Sequence, residues 1–140
     1  MINEVNSNGG DGDYVEFINT GTAAIDISGW SFTDALPATD AGTRPTYTFP
    51  SGTTVAGGGI ISLFTDSVAD GGAEQFPFGL ASSDSIILHN AAGAMVDSYT
   101  WTAHVAPHGR CPNGTGAFRL NNSRTKGAAN DCSALDGGTP

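Results

Sequence analysis

A few small groups of residues in this chain have the types and spacing to do chemistry. Cys111 and Cys132 are its two cysteines, and His104 and His108 stand just upstream of the first. Two thiols late in a lysine-poor chain most simply form one disulfide. The competing reading is zinc, with His104, His108, Cys111 and Cys132 as four ligands. Pro107 and the small residues around it give no helix to aim the imidazoles, and no knuckle spacing is present. Asp11-Gly12-Asp13 lies in a Gly/Asn-rich stretch near Glu16. Carboxylates and turn carbonyls could there surround a calcium ion, although Asp, Asn and Gly are also the ordinary vocabulary of turns.

Two sets have catalytic types. Glu4 and Glu16 fall on neighbouring strand-like stretches, as a glycosidase pair could, but strand carboxylates are more often solvated or bonded to loops. Asp97, Ser98 and His104 contain the types of a nucleophilic triad without a strained nucleophile turn or an oxyanion arrangement. We therefore expect no enzymatic activity. Among the aromatics, Trp30 reads as core, whereas Trp101, flanked by threonines, is the candidate for stacking on a sugar.

Composition narrows the classes. The chain has 140 residues with 14 acidic and five basic side chains, a formal net charge of −9. That is one domain, with 39% hydrophobic residues to build a core and no apolar stretch long enough to span a membrane. The acidic balance argues against nucleic acid and anionic lipid as partners. It is also uneven. Residues 1–109 hold twelve acids against Arg44 alone, a balance of −11, while residues 110–140 hold four bases against two acids, +2. The basic end, with Arg110, Arg119, Arg124 and Lys126, is the candidate surface for an acidic partner. The single lysine, the abundance of Gly, Thr, Ala and Ser, and the two late cysteines suit a secreted or extracellular bacterial protein. No leader precedes the first strand-like residues, so on this reading the signal peptide lies outside these residues.

The elements that must position these groups are strands. Helical periodicity is almost absent, because Gly and Pro interrupt nearly every long stretch. Ile2–Asn6 is strand-like, and Tyr14–Asn19 alternates, with Val15 and Phe17 on one face and Glu16 on the other. Ile60–Phe64 reads as a strand buried on both faces. Ser85–His89 and Met95–Trp101 flank Asn90-Ala91-Ala92-Gly93, a hairpin connection. Segments 34–44 and 66–76 read as long loops. Short strands with such turns predict an all-β fold, an antiparallel β-sandwich of about seven to nine strands.

The ordered set Ile2-Asn3-Glu4-Val5, Asp13-Tyr14-Val15-Glu16-Phe17-Ile18-Asn19, Ile27-Ser28-Gly29-Trp30-Ser31-Phe32 and Tyr47-Thr48-Phe49-Pro50 resembles the lamin-tail domain. Gly109-Arg110-Cys111-Pro112-Asn113-Gly114 and Thr125-Lys126-Gly127-Ala128-Ala129-Asn130-Asp131-Cys132 are similar to secreted bacterial members. The resemblance implies an immunoglobulin-like sandwich over residues 1–132, with 133–140 as a linker or tail, and no shared catalytic residues. It implies a binding or attachment module accessory to a larger secreted or surface protein. The partner would be a protein, a cell surface or a polysaccharide. The alternatives are a self-assembling structural subunit, with self-association through strand edges or charge pairing, and a calcium or carbohydrate binder. No cofactor is expected apart from that possible calcium.

Overall fold

The computed structural model describes residues 1–7, 13–34, 45–65, 75–103, 107–120, 125 and 127–133. Within these, twelve strands form β1 (Ile2–Asn6), β2 (Tyr14–Ile18), β3 (Ile25–Asp26), β4 (Ser31–Asp34), β5 (Thr46–Thr48), β6 (Thr54–Val55), β7 (Ile60–Thr65), β8 (Gln75–Phe76), β9 (Asp84–His89), β10 (Met95–Trp101), β11 (His108–Cys111) and β12 (Ala117–Leu120). The number exceeds the seven to nine expected because β3, β6 and β8 are two-residue pairings. Such pairings are too short to leave a period in sequence.

A six-stranded sheet runs β12-β11-β1-β2-β7-β8, a four-stranded sheet β10-β9-β4-β5, and β3 pairs with β6 as a separate ribbon. Every pairing is antiparallel except β7 with β8. The two large sheets form an immunoglobulin-like sandwich. Val5, Val15, Phe17 and Leu63 from the first meet Phe32, Ile86, Leu88 and Trp101 from the second in one buried cluster. Alternation along each strand produces this arrangement, since residues opposite each other across a ladder share a face. The expected hairpin is present. Asn90 Oδ1 accepts from the amides of Ala92 and Ala94, and Gly93 takes φ +82° where the chain reverses.

Two extra residues re-aim side chains. On β1 the register passes from Ile2↔Phe17 to Glu4↔Glu16, so Asn3 is a bulge residue. The bulge lets Asn3 and Glu4, neighbours in sequence, both serve the outer face. On β10 the register passes from Met95↔His89 to Asp97↔Leu88, which leaves Val96 as the extra residue. β7 departs from expectation. Of its residues only Leu63 and Thr65 are fully buried, because Ser62 and Phe64 face outward beside Glu16 and Tyr14.

Segments 35–44 and 66–74 lie outside the described residues, as does all of the tail but Ser133. Asp34, read as the start of a loop, is the buried last residue of β4.

Candidate functional site

The outer face of the six-stranded sheet holds the densest group of chemically capable side chains. Glu4 and Glu16 face each other across β1 and β2, and both are completely buried. Strand alternation assigns them to a solvent face; the C-terminal segment covers it. Glu4 Oε2 accepts from Thr125 Oγ1 at 2.6 Å, and Glu4 Oε1 from Tyr14 Oη at 2.5 Å and Thr125 N at 3.3 Å. Glu16 Oε2 accepts from Ser62 Oγ and from Gly127 N, both at 2.7 Å, while Oε1 accepts from Asn3 Nδ2 at 3.3 Å. The two carboxylates thus replace water with donors from three strands and the strap, as buried charge requires.

Asn130 seats the other end of this strap. Its amide nitrogen Nδ2 donates to the carbonyls of Asn3 and Arg110 at 2.9 and 3.0 Å, and its main-chain N to Asn113 Oδ1 at 3.1 Å. Gly114 completes the cradle: its N donates to Asn3 Oδ1 at 2.8 Å, from a backbone at φ +75° that favours glycine. Two residues after Asn130, Cys132 is joined to Cys111 of β11, with Cα atoms 5.7 Å apart. The disulfide overturns the zinc alternative, since neither sulfur is a free thiolate. Closing a loop of 21 residues, it should contribute about 3 kcal/mol on the chain-entropy account. We expect the Cys111→Ser/Cys132→Ser protein to unfold at a lower urea midpoint in equilibrium denaturation, with an m-value raised because the uncrosslinked unfolded chain exposes more surface.

Burial pushes the Glu16 carboxyl up to about 7. The neighbouring Glu4 adds to this, while the Gly127, Ser62 and Asn3 donors pull it down. The Tyr14 phenol is pushed up too, first by burial and then by its bond to Glu4. A carboxyl group near neutrality is one that acid–base catalysis uses. Here both members of the pair are sealed beneath the strap, so no substrate reaches them in this conformation. They hold the fold together.

The other sequence candidates fall elsewhere. Asp13 Oδ2 accepts from Leu80 N at 2.7 Å and so fastens the chain after β8. Asp11 lies outside the described residues. Glu16 is engaged by Ser62, Gly127 and Asn3. Among the described residues no three His, Cys, Asp or Glu side chains are grouped to hold a metal. Trp101 is not a surface residue. It is 4% exposed, with Nε1 donating to Ala81 O at 2.8 Å. Its threonine neighbours face outward, and period-two alternation sends Trp101 inward.

Arg110 is likewise not a free basic residue. Its Nη2 lies 3.0 and 3.1 Å from the two oxygens of Asp97, Nε donates to Ile2 O, and Nη1 to Gly116 O. The guanidinium also lies over the Phe118 ring, which stacks on Tyr99 at 3.7 Å between centroids. Asp97 and Tyr99 belong to the four-stranded sheet, so Arg110 ties the two sheets together. Asp97 is thereby committed, and Ser98, on the opposite face of β10, cannot join it in a triad; His104 lies outside the described residues. Replacing Arg110 by Ala should cost about 3 kcal/mol, because Asp97 would keep its burial and lose its counter-charge. An unchanged urea midpoint for Arg110→Ala would contradict this. Arg119 is exposed on β12; Arg124 and Lys126 lie outside the described residues.

The class defined by these observations is an immunoglobulin-like β-sandwich whose carboxylates and one buried arginine fasten its own C-terminal segment and its two sheets. The Lamin Tail Domain family model matches residues 1–103, and the chain belongs to that family. No curated protein matches it. The matched region ends before β11, β12 and the strap, although β11 pairs directly with β1. Sequence reading found the disulfide residues and placed Glu4 and Glu16 on neighbouring strands. It missed the role of Thr125, Gly127 and Asn130, since small turn residues carry no periodicity that reveals what they cover.

Proposed function

We propose that this chain is a non-catalytic binding and attachment module, secreted and accessory to a larger extracellular or surface protein. One observation carries the reading. Glu4, Glu16, Asp13 and Asp97, the described carboxylates with the types and spacing for chemistry, are each committed to holding a strap, a loop or a strand. What the fold offers outward is surface and strand edge. The disulfide suits an oxidising compartment. Among the described residues no helix is long and apolar enough to cross a membrane. The partner on this reading is a protein, a cell surface or a polysaccharide, and nucleic acid is disfavoured by the −9 charge.

The test is retention of the oxidised domain on purified cell-wall preparations and on insoluble neutral polysaccharides. Saturable retention on one support supports the module reading. Retention on every support no greater than that of an inert acidic protein sinks it. A second reading, self-assembly, draws on one observation: β12 ends the six-stranded sheet and leaves Leu120 50% exposed. Sedimentation at rising concentration decides it, and a monomer throughout removes it.

A further inference from the structure

A cavity of about 200 Å³ opens between the two large sheets beside the β3–β6 ribbon. Phe17, Phe49 and Leu88 of the core line it, together with the partly buried Trp30. Ile25 and Val96 also line it, and both are partly exposed at 37%. Met95, next to Val96 in the chain, is 65% exposed. Two of the four exposed large apolar residues among the described residues therefore line this one opening. The β10 bulge supplies Val96 as the residue in excess of the ladder. Exposed apolar side chains gathered at a concavity mark a binding site more often than scattered ones do.

The wall also specifies what it would accept. No Asp, Glu, Lys or Arg side chain lines the cavity. Of the two polar side chains in the lining, Asn19 and Thr20, Asn19 is turned to the framework. Its Nδ2 donates to the carbonyls of Ala23 and Val55, and its Oδ1 accepts from Gly21 N. The Met1 amine donates to Ile18 O at 2.9 Å. Apart from that amine and Thr20 the wall offers a ligand no free polar side chain, so most of a polar ligand's lost hydration would go unreplaced. The volume is too small for a drug-sized molecule, yet exceeds the roughly 150 Å³ cavities that hold benzene.

We propose that this cavity is a binding site for one small, neutral, apolar molecule, of the size of a substituted benzene or a short branched hydrocarbon. The site is separate from the strap and stands or falls independently of the attachment role.

Trp30 lines the cavity and is one of two tryptophans, so it reports occupancy. The probe is bromobenzene, whose heavy atom quenches indole fluorescence, with 4-bromobenzoate as its charged counterpart. Bromobenzene should quench saturably and raise the melting temperature along the same isotherm, as binding to the native state requires. The benzoate should bind at least about tenfold more weakly, since its charge would be desolvated. Val96→Phe, at the mouth, should weaken bromobenzene binding at least about fivefold by steric blocking, with the probe-free melting temperature little changed. If that variant is destabilised, Ile25→Phe on the opposite side serves instead. Quenching that is linear in concentration, or equal in Trp30→Phe protein, overturns the proposal, as does equal uptake of the benzoate. A dimer that dissociates on Val96→Asp also overturns it, because the mouth would then belong to a second copy of this chain.

Discussion

A chain ended at Ala103, where the family match stops, will not fold on its own. The cut removes β11, and with it the antiparallel partner of β1. It removes Arg110, leaving Asp97 with its inter-sheet counter-charge gone. It removes Thr125 and Gly127, the strap donors to Glu4 and Glu16. The same cut uncovers Glu4 and Glu16 to water, so the loss lies in the missing β11 ladder and the missing Arg110 tie between the sheets, against a total of only about 5–15 kcal/mol for a domain of this size. We expect the 1–103 fragment to show no cooperative urea transition and a collapsed amide spectrum, while 1–133 behaves as the full chain does. A cooperative transition for 1–103 would mean that residues beyond 103 merely decorate the sandwich.

The second large effect concerns pH. Glu16 has an unfolded value near 4.5 and is raised to about 7 in the folded chain, chiefly by burial. The folded state therefore binds this proton more tightly than the unfolded state does. The stabilisation is present in full below about 4.5 and is lost as pH rises through about 7. Its size is about 3 kcal/mol, from the free-energy equivalent of that displacement. The groups facing Glu16 are Glu4 and Asn3 on β1, Ser62 on β7, Gly127 of the strap and, on its own strand, Tyr14. Glu16→Gln keeps the shape and an acceptor for Ser62 and Gly127 while removing the ionisation. Urea midpoints measured from pH 4.5 to 8.5 should fall in the wild type relative to Glu16→Gln, and the variant should be the more stable protein at the alkaline end. Taking the difference between the two proteins isolates Glu16 from the Met1 amine, which burial shifts downward. Parallel profiles would show that Glu16 does not carry this dependence. The physical consequence is a strap closed most firmly in mild acid, with Cys111–Cys132 keeping it tethered when burial of the ionised Glu16 disfavours closure.

The charge balance takes a different meaning once folded. Sequence arithmetic puts −11 on residues 1–109 and treats it as surface. Glu4, Glu16, Asp34 and Asp84 are buried, and Asp97 is paired with Arg110. Pairing with Arg110 makes the outward field of the body one charge weaker than the count suggests. Arg110 for its part adds nothing to a basic flap. Counting formal charges cannot separate solvated groups from those consumed internally, because that depends on which segment lies over which strand.

Much was legible without coordinates. Alternation around Val15 and Phe17, the Asn90–Gly93 connection, and the scarcity of uninterrupted helical stretches determined strands, a hairpin and a sandwich. The two cysteines in a lysine-poor chain favoured a disulfide over a zinc site. These are local or compositional signals: each follows from backbone geometry or chemical type within a few residues. Tertiary structure alone decided that Glu4 and Glu16 are buried, that Asn3 joins them through a bulge, and that Trp101 faces inward beside Ala81. It alone decided that Thr125, Gly127 and Asn130 close the outer face, more than a hundred positions away from β1 in sequence. A strand's polar face reads the same whether water or another segment covers it, and only the packing of distant residues makes that choice.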